Sequence, residues 1–397
     1  MIPRHLATAL QESLAEYPVV TIFGPRQSGK TTLARTLCPH FRYANLEDKE
    51  TRDLAVNDYK AFFARFPPPV IIDEIQRVPE LTSAVQVRVD EERGSCGRFV
   101  LTGSHQTALA ASIDQSLAGR TSILELLPLS LAELGGCPVL STDQLLLTGF
   151  MPELHLRPRR VTNYYRNYFR TYVERDVRQL ENIRDLLPFE RFVTLLAGRV
   201  GQFVNYTALS CETGVSVPTI TSWLSILEAS FLILRLPPYF SNISKRVVKS
   251  PKIYFTEPGL AAYLLGIETP AQMAMHPLRG NLFENLVVVE ALKHFANQAR
   301  NPQMAFLRTE KGFEIDLLLS HGGTLQPVEI KSAMTFRHNL IQNLEIYCRH
   351  DQTASHPLLV YDGEALPAVG TPTIQAVNFR TCQEAILPAH VQIGNEK

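Results

Sequence analysis

The chain has 397 residues, and its 39 lysines and arginines balance 39 aspartates and glutamates, so net charge selects no partner and any surface for a polyanion must be local. Hydrophobic residues are 45% and charged residues 20% of the chain, ordinary globular values, and at about 150 residues per domain the length leads us to expect two or three domains with independent cores. The cysteines form no CxxC pair, residues 1–20 mix charged with apolar positions, and no run of about 18 apolar residues occurs, so a cytoplasmic chain with reduced thiols, no signal peptide and no membrane span is expected.

Taken in chain order, the apolar run VVTIF (19–23) stops at Gly24 and the helical pattern TTLARTL follows, which reads as strand, Gly-rich turn and helix. The runs VIIDEI (70–75) and RFVLTGS (98–104) are the next strands, and ILELLPLS (123–130) is a fourth. β-Branched runs separated by helical segments predict a mostly parallel sheet covered on both faces, an α/β domain ending near residue 140. The stretch from 141 to about 200 is helical. Within 204–236, a helix, a turn at Gly214, a second helix opening near Ser216 or Pro218 and the run FLILRL predict a winged helix. From 278 onward comes the helix NLFENLVVVEALKHF, then strands around MAFLRT (304–309), EIDLLLS (314–320) and PVEIKSA (327–333), a separate α/β unit.

Gly24, Pro25, Arg26, Gln27, Ser28, Gly29, Lys30 and Thr31 spell GxxxxGK[ST] between a strand and a helix that continues with Thr32. Such a loop turns backbone N–H groups toward phosphates, and the helix N-terminus favours negative charge. Lys30 is expected to reach the β- and γ-phosphates of ATP, and the Thr31 hydroxyl to ligate Mg²⁺. At the exit of the second strand Asp73 is expected on the Mg²⁺ shell and Glu74 as the group that polarises the attacking water, since buried carboxylates there are costly unless they serve a cation. Thr102, Ser104 and His105 stand where a third strand can present a polar contact to the γ-phosphate or the water. Arg120 is a candidate arginine finger, in cis or from a neighbouring subunit, with a phosphate-remote arginine as the alternative.

The stretches GPRQSGKTTLARTL, VIIDEIQRVPEL, FVLTGSHQ and LAGRTSILELLPLSLAEL resemble the AAA-type bacterial and archaeal ATPases that carry a DUF4143 domain. The second half agrees through TYVERDVRQL, KSPKIYFTEPGLAAYLLG, RGNLFENLVVVE and VEIKSA, so the likeness spans about residues 1–350. It departs at Glu257, where the family more often has Asp. The resemblance implies a P-loop ATPase domain over 1–140, a helical and winged-helix region over 141–270, and over 271–397 a fold similar to the PD-(D/E)xK nucleases.

In such nucleases an Asp, a Glu and a Lys two residues on share a metal site. Asp316, Glu329 and Lys331 stand at those places on adjacent predicted strands, and alternation puts Glu329 and Lys331 on one face. Glu284 on the preceding helix is a fourth acidic candidate. The exposed face of any strand also carries polar residues, so a pair without catalysis stays open. The second helix of the helix-turn-helix offers Thr219, Thr221, Ser222 and Trp223 but no cation, and the basic residues Lys245, Arg246, Lys249 and Lys252 lie just beyond it, where a wing would contact DNA. Two functions follow: an Mg²⁺-dependent ATPase acting on DNA, or a regulatory switch of the STAND type acting on protein partners with an inactive nuclease-like fold. Nucleotide-dependent contacts between copies suit either.

Overall fold

The computed structural model describes residues 2–92, 94–104, 116–172, 186–239 and 250–386. His105, Lys245, Arg246 and Lys249 lie outside them, as do residues 173–185 of the aromatic-rich helical stretch.

Five strands build the first sheet: β1 (Val19–Phe23), β2 (Arg42–Asn45), β3 (Val70–Asp73), β4 (Phe99–Gly103) and β5 (Thr121–Glu125). Every pairing is parallel, in the order β2-β3-β4-β1-β5. All residues of β1, β3 and β4 are buried, which is why these strands read as unbroken apolar runs. Only Ala44 of β2 is fully buried, and the sequence pattern missed that strand. Alternation sorts the side chains onto two faces. Val20, Ile22, Ile71, Val100 and Leu124 pack under helices α1 (Leu6–Glu16) and α2 (Lys30–Leu37). Val19, Phe23, Val70, Ile72 and Leu101 face the rest of the molecule.

After a short helical segment comes α3 (Val161–Tyr168), then α4 (Tyr206–Thr213) and α5 (Val217–Ala229). Gly214 in the left-handed region closes α4, and the Ser216 hydroxyl caps α5 by accepting from the Thr219 N–H. Strands β6 (Ile233–Leu236) and β7 (Lys252–Phe255) follow as an antiparallel pair. Trp223 points inward, with ring centroids 5.2 Å from Phe189 and 5.3 Å from Phe192, so it serves the core rather than an outer recognition face.

Helix α6 (Arg279–Asn297) leads into the second sheet, made of β8 (Met304–Arg308), β9 (Glu314–His321), β10 (Thr324–Lys331), β11 (Leu358–Tyr361), β12 (Leu366–Val369) and β13 (Ile374–Asn378). Its order is β12-β13-β11-β10-β9-β8. Strands β8, β9 and β10 run antiparallel, whereas β10, β11 and β13 run parallel. The sequence pattern had revealed only the first three. Among the described residues no helix is long and apolar enough to cross a membrane.

The expected independent cores form only in part: a separate apolar cluster fills one face of each large sheet. One buried apolar cluster runs from Val19 and Phe99 through Tyr165, Trp223 and Phe283 to Leu317, Val360 and Phe379, so the three regions share an interior. Buried polar groups tie the joints. Glu257 accepts the Phe150 N–H at 2.9 Å, the Gly259 N–H at 3.1 Å and the Tyr165 hydroxyl at 3.0 Å, so its longer side chain serves three segments where the family resemblance favours Asp.

Gly149 is essential to that joint. It sits at φ +68°, and a Cβ there would fall 1.7 Å from Glu257 Oε1 and 2.4 Å from the Tyr165 hydroxyl. Gly149→Ala should therefore destabilise the protein by roughly 3–5 kcal/mol, combining left-handed strain with overpacking. The measurement is the urea midpoint at constant slope; an unchanged midpoint would show that the joint can open at no cost.

Candidate functional site

The turn after β1 is set by contacts that leave no room for side chains. A Cβ on Gly24 would lie 2.1 Å from the Leu126 carbonyl oxygen, so the loop passes directly against the chain leaving β5. Arg4 holds it from below: its guanidinium donates to the carbonyls of Ser28 and Leu127, each at 2.6 Å, and pairs with Glu133 at 3.0 Å. Nothing in the sequence marked Arg4, which lies outside the motif it supports.

Lys30 donates to the carbonyls of Gly24 and Pro25, both at 2.8 Å. Burial pushes its ammonium down to about 8, against the pull of Glu74 and Asp73. A phosphate entering the loop would restore the missing counter-charge. The Thr31 hydroxyl lies 3.0 Å from each oxygen of Asp73. Asp73 also accepts the Tyr43 hydroxyl at 2.7 Å and the Thr102 hydroxyl. It is thus a buried carboxylate satisfied by hydroxyls and, among the described residues, in no ion pair. A hydroxyl and a carboxylate oxygen side by side beneath a phosphate loop are the hard oxygen donors that suit Mg²⁺, so Thr31 and Asp73 fit that ion.

Glu74 follows with φ 58° and ψ 46°, a conformation a side-chain-bearing residue adopts at a cost and mostly at working sites. Its carboxylate accepts from Gln76 Nε2 and from the Ser104 hydroxyl, the latter at 3.4 Å. The loop, Glu74 and the polar face of α3 enclose a cavity of about 860 Å³, into which Arg26, Gln27, Gly29, Lys30, Thr31 and Thr32 project from one side and Arg159, Arg160, Asn163 and Asn167 from the other. Two tyrosines cross-link these walls. Tyr164 donates to Gln27 Oε1 at 2.6 Å, and the Tyr172 hydroxyl lies 2.7 Å from the Ser230 carbonyl oxygen and 3.4 Å from that of Ser104. Ser230 is the C-cap of α5, so Tyr172 stands between the end of β4 and the end of α5.

Arg120 needs correction. Its carbonyl accepts the Val19 N–H at the start of β1, and its guanidinium forks onto Asp90 at 2.9 and 3.0 Å. It stands a full strand length, roughly 15 Å at about 3.3 Å per residue, from the phosphate loop. On its own chain it thus takes the phosphate-remote position that the sequence leaves open as the alternative.

In the C-terminal unit, Asp316, Glu329 and Lys331 do meet. One step beyond the last paired residues of β9 and β10, Val328 with Leu317, Glu329 falls opposite Asp316. Lys331 Nζ lies 2.8 Å from Asp316 and 2.5 Å from Glu329. Burial and the Asp316 charge push Glu329 up to about 8. Burial opposes ionisation of Asp316 too, but Lys331 and Lys252 hold it below the usual carboxylate range.

Lys252 is the second correction. The sequence grouped it with exposed basic residues beyond α5. It is instead 2% exposed, 2.9 Å from Glu284 and 2.6 Å from Glu314, while Tyr254 donates to Glu284 at 2.5 Å. Four carboxylates and two lysines thus crowd together across the joint between β7, α6 and the second sheet, where burial raises Glu284 and Glu329 toward their neutral forms. Among the described residues no group of three or more acidic, histidine or cysteine side chains is arranged to hold a metal. With lysine ammonium groups set among the carboxylates, the cluster in this arrangement does not fit the nuclease metal.

Comparison with known proteins places residues 16–135 in an AAA domain family, residues 140–271 in a domain of unknown function, DUF8612, and residues 279–381 in another, DUF4143. The uncharacterized proteins Mb2031c of Mycobacterium bovis and Rv2008c of Mycobacterium tuberculosis are each 31% identical over 335 residues, which is 84% of this chain and 74% of theirs. Among solved structures, the Walker-type ATPase paby2304 of Pyrococcus abyssi aligns with a TM-score of 0.42 and 15% identity, over 66% of this chain and 96% of that one.

The C-terminal cluster makes a pH prediction. A carboxyl held above its ordinary value keeps its proton in the folded state, so its contribution to stability is present at low pH and lost as pH rises toward about 8. Glu329→Gln mimics the protonated form. Wild type should lose stability relative to this variant between roughly pH 5 and 8, by at most about 1.4 kcal/mol per pH unit, read from urea midpoints; parallel curves would mean that Glu329 is ionised throughout.

Proposed function

The chain belongs to the AAA-type P-loop ATPases that carry a C-terminal DUF4143 domain, and from that premise we propose that it hydrolyses ATP with Mg²⁺ and uses the cycle as a conformational switch. The observation that carries the proposal is the Thr31 hydroxyl held 3.0 Å from both Asp73 oxygens, facing the same cleft as Lys30 and Glu74. In this reading Lys30 exchanges its loop carbonyls for the β- and γ-phosphates. Gly29, Ser28 and the start of α2 present backbone N–H groups to the same oxygens. Thr31 and Asp73 hold Mg²⁺, which when bound offsets charge on the phosphates. Glu74 orients and polarises the attacking water.

The change is passed on mechanically. Tyr164 reads the loop through Gln27, and Tyr172 bridges the strand end at Ser104 to the end of α5. Closing of the cleft on nucleotide would move α3, and with it the helix-turn-helix.

A switch that acts on protein partners is favoured over DNA processing by the charges. Arg199 and Arg235 around the helix-turn-helix are paired with Glu212 and Glu228, Lys252 is buried, and lysines are set among the carboxylates of the nuclease-like cluster. The helix-turn-helix followed by the β6–β7 pair supports the winged-helix reading, and the strand positions of Asp316, Glu329 and Lys331 support a nuclease-like fold without requiring cleavage. One observation favours DNA as a second reading: Lys245, Arg246 and Lys249 fall between the strands of that pair in the sequence. A contribution of Arg120 to a neighbouring copy would require its fork on Asp90 to open.

Steady-state ATP hydrolysis with Mg²⁺, with and without single- and double-stranded DNA, tests this. Lys30→Ala should weaken nucleotide binding by about 100-fold or more, and Glu74→Gln should bind normally while losing about 100-fold or more in turnover. Slow turnover indifferent to DNA supports the switch. Stimulation by DNA would move the partner to nucleic acid, and equal turnover of Glu74→Gln and wild type would remove Glu74 from the mechanism.

A further inference from the structure

The residue after the Asp73–Glu74–Ile75 exit of β3 has no role in the mechanism above, yet its contacts are made almost entirely to that mechanism. Gln76 lies in the single 3-10 turn Ile75–Arg77. Its Nε2 donates to Glu74 Oε2 and, at 3.0 Å, to the Ser104 hydroxyl, which itself reaches Glu74 Oε2 at 3.4 Å. The three groups close a triangle around one carboxylate oxygen. The other end of the amide is different: Oε1 is buried and finds no hydrogen-bond donor among the described residues.

That asymmetry is informative. Most buried amides have both ends satisfied, because an unpaired buried carbonyl is costly, so what the nitrogen end gains must hold this side chain in place. Flipping the amide would set Oε1 against the carboxylate, two acceptors face to face, so the contact with Glu74 dictates its orientation. The neighbours divide the remaining labour. Ile75 goes to the core, and Arg77 reaches out to Glu47 at 2.7 Å. Gln76 alone turns back on the carboxylate, whose backbone is already held in the left-handed region at φ 58°.

We propose that Gln76 is a positioning residue for ATP hydrolysis: its carboxamide clamps the Glu74 carboxylate against Ser104 and sets the orientation from which Glu74 acts on water. This clamp also lies against α5: the Tyr172 hydroxyl donates its one proton to the Ser230 carbonyl at 2.7 Å and packs 3.4 Å from the Ser104 carbonyl oxygen. A shift of α5 therefore reaches Glu74 through its holder. The proposal rests on Glu74 being the group that orients water.

The test is a double-mutant cycle in steady-state ATP hydrolysis, with nucleotide affinity measured alongside by a fluorescent ATP analogue. Gln76→Ala should lower kcat by roughly 10- to 100-fold, with KM, analogue affinity and melting temperature near those of wild type. Gln76→Glu keeps the size but sets a second carboxylate beside the first, and should lose as much. In the Glu74→Gln background Gln76→Ala should add almost nothing, because a residue acting through Glu74 has nothing left to position. Wild-type kcat in both Gln76 variants, or the same fold-loss with and without Glu74, overturns the proposal. If Glu74→Gln itself turns over normally, the underlying reading of Glu74 fails and the clamp falls with it.

Discussion

Helix α6 sets the terms for the rest of the molecule. Thirteen of its 19 residues are buried, including an ion pair and an amide that water cannot serve: Lys293 to Glu290 at 2.9 Å, and Asn285 on the backbone of Phe255. Charges in such a place persist only if the protein completes their hydrogen bonds. The partners come from all three regions. The Leu131 N–H and the Leu129 carbonyl approach from behind the first sheet, Gln383 from the end of the second, and Phe150 lies 3.7 Å under the Lys293 ammonium. The helix can be buried only when every region is in place, which makes the assembly all-or-none.

The nucleotide cleft obeys the same logic with the opposite purpose. Asp73 and Glu74 are satisfied by neutral hydroxyls and an amide, and Lys30 by carbonyls of its own loop. These are bonds that can be exchanged. In the C-terminal cluster, by contrast, the carboxylates already have ammonium partners at 2.5–2.9 Å. Among these acids only Glu329 Oε1 is buried without a hydrogen-bond partner, so the two sets of buried acids differ in what they can accept.

Much of this was legible in the residues. The phosphate loop, the two acids after β3 and the strands of the first sheet announced themselves because a strand buried on both faces is written as an apolar run, and because glycine and lysine at fixed spacing have one common mechanism. Strands with one exposed face or few residues, such as β2 and β12, carry no such signature. Lys252 was misread because a lysine in a basic stretch looks solvent-facing, and its partners Glu284 and Glu314 are distant in sequence. Independent cores were expected from length alone, but length says nothing about whether neighbouring regions bury their apolar faces on one another. Gln76 had a signal, an amide two residues beyond Glu74, that becomes meaningful once β4 brings Ser104 beside it.

The shared interior also bears on how this architecture can be dissected. A chain cut at the sequence boundary near 271 would divide Phe255 from Asn285 and strip Glu290 and Lys293 of Leu131 and Leu129. Each fragment would carry a raw apolar face and half-solvated charges, the composition of an aggregating species rather than a domain. The boundaries between matched families here are therefore not places where the protein comes apart.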